Sequence, residues 1–273
     1  MKKYFVFAVV LFATTAAFAQ KKNPPKSTTT SPQDSVAAAK KATLAAATTP
    51  AATSGKKDWS KVNLSRRAND HFMFQFGYDN WAAAPDSIHI QGFNRSANFY
   101  FMFDFPFKSD PRLSVGAGVG IGSSNIFFNQ QEVLVAAYNN QTLAFPDQEG
   151  GNHFKKYKLV TTFLEAPIEL RFATDPEHTN SCWKFAIGMK AGLLMSAYTK
   201  AKDLQNNVGQ TLGSYIEKES SKQFFNSTKL AATARINYGP VGIFGQFQFN
   251  SLLKANAGPT IYPFSFGIMV SGL

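Results

Sequence analysis

With 273 residues, 27 of them Phe, and one cysteine, Cys182, the chain is long enough for a single large all-β unit and cannot form an internal disulfide. Its formal net charge of +11 suggests a nucleic-acid partner until it is mapped: twelve of the 28 Lys and Arg lie before residue 69, against only Asp34 and Asp58. The remaining 16 basic and 15 acidic residues leave the rest of the chain nearly neutral, which excludes both a stapled scaffold and a nucleic-acid-binding unit.

The first segment, "MKKYFVFAVVLFATTAAFAQ", has Lys2 and Lys3, an apolar run from Tyr4 to Ala13, and small residues at Ala17 and Ala19. It reads as a secretory signal, with cleavage expected after Ala19. The apolar run is about half the ~20 residues of a spanning helix. Residues 20–68 form a Lys/Ala/Thr/Pro-rich stretch with almost no large apolar side chains, which predicts a disordered periplasmic linker. Within it Ser31, Pro32 and Asp34 can start a short helix, marginal on its own. The basic linker is a candidate for contact with anionic cell-wall polymer, although solvated spacers share its composition.

From Asn69 onward the chain reads as strands, because apolar residues recur with period two and turn residues punctuate them. "HFMFQFGYD" sets Phe72, Phe74 and Phe76 against Met73 and Gln75, and "SANFYFMFDFPF" sets five Phe against Asn98, Tyr100, Met102 and Asp104. "RLSVGAGVGIGSS" alternates aliphatic residues with Gly116, Gly118, Gly120 and Gly122. "KLVTTFLEAPIELRF" places Leu164, Ile168 and Leu170 opposite Glu165, Glu169 and Arg171, and "WKFAIGMKAGLLMSAY" opposes Trp183 and Phe185 to Lys184 and Lys190. "STKLAATARINY" opposes Leu230 and Ile236 to Lys229 and Arg235; "VGIFGQFQFN" and "IYPFSFGIMVSGL" complete eight strands.

Connections alternate between short turns and long loops, the long ones covering residues 80–91, 125–156 and 200–226. An outer-membrane barrel has this asymmetry, with short periplasmic turns and long extracellular loops. A lipocalin-like soluble barrel is the alternative, but it would turn the apolar face inward and dress the other for water. Here the second face is glycine-rich or mixes Gln, Asn and Ser with isolated charges, which suits a cramped polar interior. The expected fold is therefore all-β: an eight-stranded antiparallel transmembrane β-barrel over residues 69–273, with the Phe stripe against lipid.

Asp104, Glu165, Glu169, Arg171, Lys184, Lys190 and Arg235 converge in that lumen with nearly balanced charge. They read as a polar plug rather than an ion path or a catalytic cluster. With the β-turn of the fourth and fifth strands centred near residues 177 and 178, Glu165 is expected opposite Lys190, and Arg171 opposite Lys184. Tyr100 is expected to cover Gly118.

At "FLEAPIELRF", followed by "WKFAIGMKAGLLMS" and closing on "YPFSFGIMVSGL", the chain resembles the PorT-like outer-membrane β-barrel family of Bacteroidetes-type bacteria. The likeness spans about residues 69–273 and is most specific at Leu164-Glu165-Ala166-Pro167, where Ala166 replaces a bulkier aliphatic residue. It implies an eight-stranded barrel in the outer membrane and, for the namesake branch, a part in type IX protein secretion.

Three functions compete. A non-enzymatic structural or interaction protein would present loops 125–156 and 200–226 to other envelope or secretion proteins. A lipid-modifying hydrolase or acyltransferase would need Ser, His and a carboxylate together, whereas His71, His89, His153 and His178 are scattered and no nucleophile motif is present. A small channel would need a continuous wet lumen. No cofactor motif or metal-spaced Cys/His cluster occurs, and the glycines of "GAGVGIG" lie on a β-face rather than in a phosphate loop.

Overall fold

The computed structural model describes residues 71–272 apart from 138 and 139. The signal segment, the linker over 20–68 and its short helix lie outside the described residues. Nine strands follow in chain order: β1 (Phe72–Ala82), β2 (Arg95–Pro106), β3 (Leu113–Phe128), β4 (His153–Ala173), β5 (Trp183–Gln205), β6 (Thr211–Ser220), β7 (Thr228–Tyr238), β8 (Val241–Gln248) and β9 (Tyr262–Ser271). Eight of them close a ring in the order β1-β2-β3-β4-β5-β7-β8-β9, every pairing antiparallel.

The seam of the ring is the β1–β9 ladder, from Met73 opposite Ser271 to Ala82 opposite Tyr262. Gly77 and Gly267 face each other across it. A Cβ on Gly77 would stand 2.7 Å from the Phe266 carbonyl oxygen and 3.0 Å from the Phe244 ring, so the close approach of β1 and β9 requires glycine there.

Period-two alternation decides which side chains point where. Phe72, Phe74, Phe76, Phe103, Phe105, Ile168, Ile187, Met189, Ile243 and Ile268 project outward and are exposed, while Met73, Gln75, Tyr100, Met102, Glu165 and Lys190 fill the interior. An exposed apolar belt thus runs around the whole ring. A contiguous apolar surface of this kind belongs against hydrocarbon, not water.

The eight-stranded ring is the one expected, and a ninth strand lies outside it, because residues 200–226 are not one long loop. β5 continues to Gln205, turns through Asn206–Gly209 and returns as β6, which pairs with β5 alone. A bulge makes this extension possible. Phe163 stands opposite Leu194 but Thr162 opposite Ser196, so Met195 is the extra residue. Before it, even-numbered β5 residues such as Lys190 face the lumen; beyond it, Ala197, Thr199 and Ala201 do.

The long-loop end is closed by an apolar cap. Val133, Val135, Leu143, Phe224, Phe225, Leu252, Leu253 and Ile261 from three loops pack on Trp81, Ile126, Leu159 and Phe163 from the strands. Backbone bonds hold the loops together, from Leu143 N–H to the Ala257 carbonyl at 2.8 Å and from Lys254 N–H to the Phe224 carbonyl at 2.9 Å. The Tyr157 hydroxyl donates to the Val133 carbonyl at 3.0 Å. Val133, Val135 and Leu143 of the 125–156 loop are therefore buried in the cap.

Two outcomes are expected. Phe103→Lys, a charge on the apolar belt, should lower the stability of the lipid-reconstituted barrel in urea by about 2–4 kcal/mol. An unchanged unfolding midpoint would mean that this face does not meet hydrocarbon. Where the β5–β6 extension covers the 129–148 loop, burial raises the Glu132 carboxyl above its ordinary 4.5, and the charges of Glu217 and Glu219 add to the rise. The folded loop thus binds a proton more readily than the unfolded one, and its stability rises as pH falls from neutral through the raised value toward 4.5. Hydrogen exchange at Leu134 N–H, bonded to the Ala144 carbonyl, should show stronger protection at pH 5 than at pH 7 after correction for the intrinsic rate. Glu132→Gln should abolish that difference.

Candidate functional site in the barrel lumen

The interior of an eight-stranded ring is wide enough for side chains and little more. Its inward positions are unevenly filled. Met73, Tyr100, Met102, Phe244 and Met269 form an apolar wall from β1, β2, β8 and β9. β3 contributes almost no side-chain volume at this level. Instead its glycines admit neighbours: a Cβ on Gly116 would collide with the Arg171 guanidinium, on Gly118 with Met102, on Gly120 with the Tyr100 ring, and on Gly122 with the Glu165 carboxylate. Tyr100 thus covers Gly120, its register partner, and not Gly118.

Two ionic clusters occupy the remaining space. Near the short turns, Glu169 Oε2 accepts from Arg235 Nη2 at 2.8 Å and Nε at 3.1 Å, and from Arg171 Nε at 3.1 Å. Arg171 Nη1 also reaches Asp104 Oδ1 at 3.3 Å, and the Ser114 hydroxyl donates to the same oxygen at 2.7 Å. At mid-barrel, Glu165 accepts from Lys229 Nζ at 2.7 Å and from the Tyr100 hydroxyl at 2.5 Å. Lys190 Nζ donates to Tyr100 at 2.9 Å, to Gln246 at 2.9 Å and to Gln75 at 3.2 Å, and lies 4.6 Å from the centre of the Tyr100 ring. Gln246 in turn donates to the Ser265 hydroxyl, and Asn98 to Gln75 at 3.3 Å. This second cluster ties together every ring strand except β3, the strand whose glycines make room for it.

The geometry alters several expectations. Glu165 stands opposite Gly192 and Lys190 opposite Pro167, each partner two residues from the expected one, because the hairpin closes between Thr174 and Trp183 around a short 3-10 turn at Thr179–Ser181. The Tyr100 hydroxyl consequently bridges Glu165 and Lys190, which were expected to pair directly. Arg171 faces Ala186, not Lys184. Lys184, half-buried at the short-turn end, lies opposite Ala173 and Asn237. Lys229, Tyr100, Gln75 and Gln246 complete the site. Their inward parity was visible in the sequence, but their reach across the lumen was not.

Above mid-barrel, a cavity of about 20 Å³ lies beside Asp79, Ser96, Ser124, Thr161 and Ser265. That is room for a single water rather than a column of them. Asp79 Oδ1 and Ser96 Oγ, both buried, have no protein hydrogen-bond partner, so the cavity is polar where a water would sit. At the opposite end, Asp175, Glu177 and His178 in the β4–β5 turn bring potential ligand atoms within 4.8 Å of one another. The turn's own bonds account for this, with His178 Nδ1 3.1 Å from Asp175 Oδ2 and Glu177 N–H donating to Asp175 Oδ1 at 3.0 Å.

Among known proteins, the family described as outer membrane protein beta-barrel domain matches residues 61–258. No curated protein matches the chain.

Glu169 is the carboxylate between two buried guanidinium groups, so its loss leaves Arg235 without its counter-charge and Arg171 with Asp104 alone. Glu169→Gln should destabilise the folded barrel by about 3–5 kcal/mol, whereas Glu169→Gln combined with Arg235→Met should recover much of that loss. Purely additive effects in a urea double-mutant cycle would show that the two side chains do not sense each other.

Proposed function

The chain belongs to the outer membrane protein beta-barrel domain family, and from that membership we propose that it is a non-enzymatic envelope component, working through its exposed surfaces while its plugged lumen supplies rigidity. The observation that carries this reading is the filled interior. Apolar cap, single-water cavity, mid-barrel cluster and short-turn cluster succeed one another along the axis, so among the described residues side chains fill the lumen above and below that cavity. The reading includes export by the N-terminal signal, cleaved after Ala19.

On this reading the histidine contacts serve the fold. His71 Nδ1 is 3.0 Å from the Met102 carbonyl at one end of the barrel, His153 Nδ1 is 3.3 Å from the Gly151 carbonyl at the other, and His178 is engaged by Asp175. None of these contacts assembles a hydroxyl nucleophile with a base.

For a partner protein, β6 offers the best purchase. It pairs on one side only, so its other edge presents unpaired backbone groups, and Val208, Leu212, Tyr215 and Ile216 on and beside it are exposed. The likeness at Leu164-Glu165-Ala166-Pro167 to PorT-like barrels makes the type IX secretion machinery the class of partner to examine first.

Planar-bilayer recordings of the purified chain should show no conductance steps, and a photo-crosslinking residue at Ile216 should capture an envelope protein in native outer membrane. Stable single-channel steps would replace this reading with a pore. Capture of lipid alone at Ile216 would remove the protein-docking role of β6.

A further inference from the structure

Beyond the lumen and the β6 edge, the outward face of the β4–β5–β6 extension carries an unusual arrangement of charge. Lys158 stands directly opposite Lys200, Lys156 opposite Lys202, and Lys200 opposite Lys218 on β6. Residues two apart along a strand are separated by about 6.7 Å, and neighbouring strands by about 4.8 Å. The lysines therefore form a cationic lattice whose like charges face each other, an arrangement that costs stability by itself.

The Met195 bulge creates this face. Without the extra residue, Lys200 and Lys202 would keep the parity of Lys190 and point inward. The acidic residues of β6 take the other side: Glu217 and Glu219 pair with Ala201 and Thr199 and line the inner surface with Glu132. On the outward side the acidic neighbour is Asp203, 3.8 Å from Lys202 at the far margin.

The depth of this face matches a headgroup layer. Lys158 lies six residues beyond Leu164, the last exposed aliphatic residue of β4, about 20 Å along the strand on the side of the long loops, or roughly 14 Å along the membrane normal at a ~45° tilt. Aromatic rings support the cations there. Arg95 Cζ and Lys158 Nζ lie 5.3 Å and 5.7 Å from the centre of the Phe127 ring, and Lys218 Nζ lies 4.2 Å from that of Tyr198. Such an aromatic girdle marks the interface of an outer-membrane barrel.

From these observations we infer that Arg95, Lys156, Lys158, Lys200, Lys202 and Lys218 form a binding site for the phosphate groups of outer-leaflet lipid. A phosphate carries enough charge and acceptor oxygens to bridge two lysines on adjacent strands and relieve their repulsion. The hydrocarbon chains of the same lipid would lie against the apolar belt below.

Native mass spectrometry of the full chain in non-ionic detergent with EDTA, titrated with a diphosphorylated lipid A, tests the site. The wild type should hold this lipid about tenfold or more tightly than the same lipid stripped of its phosphates, and Lys158→Gln/Lys200→Gln should lose that preference. Lys254→Gln, outside this lysine lattice, should keep it, and every variant retains the basic residues before residue 69. The charge-conserving Lys158→Arg/Lys200→Arg should also keep the preference, which separates charge from folding should the Gln pair fail to fold. Equal binding of the stripped lipid, or an undiminished preference in a folded Gln pair, would overturn the site. Displacement of the lipid by equimolar inorganic phosphate would overturn the lipid as its ligand.

Discussion

Hydrocarbon offers no hydrogen bonds, so a sheet placed in it must return to its own first strand. In this protein the requirement is met at the β1–β9 seam, where Gly77 and Gly267 bring the two backbones together. Closure then dictates the rest. Alternation sends one side chain of every two outward into the apolar belt, and the other set has to share the narrow cylinder of an eight-stranded ring. The lumenal side chains cannot be chosen independently. A long ion such as Lys190 fits only where β3 has surrendered its volume, and a buried carboxylate such as Glu169 is tolerable only between Arg171 and Arg235.

The features set by alternation were readable from residue order. Each ring strand showed an apolar stripe, interrupted at Gly245 in β8, and the parity of Glu165, Glu169, Arg171, Lys190 and Arg235 placed them on the opposite face. What escaped depends on backbone geometry that has no period. The 3-10 turn before Trp183 shifts the β4–β5 register and turns an expected ion pair into a tyrosine-bridged one. β6 was missed because its sequence, "TLGSYIEKES", has neither face buried by the ring and so lacks an apolar stripe. The loop over 125–156 is itself rich in apolar residues, but sequence alone does not distinguish residues that seal a barrel from residues that greet a partner.

Cap, cavity and clusters also differ in how they hold. The cap is a small hydrophobic core built from loops, tolerant of volume-conserving exchange. The clusters depend on direction as well as volume, since each donor must meet a particular oxygen. A polar interior of this kind specifies one register of the ring, because a slip by two residues would separate Glu169 from Arg235 and Tyr100 from Lys190.

The lumenal charges are also unevenly divided along the chain. β1 to β4 supply Asp79, Asp104, Glu165 and Glu169 with Arg171 the only lumenal cation among the network residues, while Lys190, Lys229 and Arg235 come from β5 and β7. An N-terminal half entering the bilayer alone would carry an uncompensated anionic face into hydrocarbon. The anionic excess is removed only with β7, two strands before the seam can close. Insertion is thereby coupled to completion: the chain has an electrostatic reason to wait outside the membrane until its C-terminal strands are in place, and to cross as a whole.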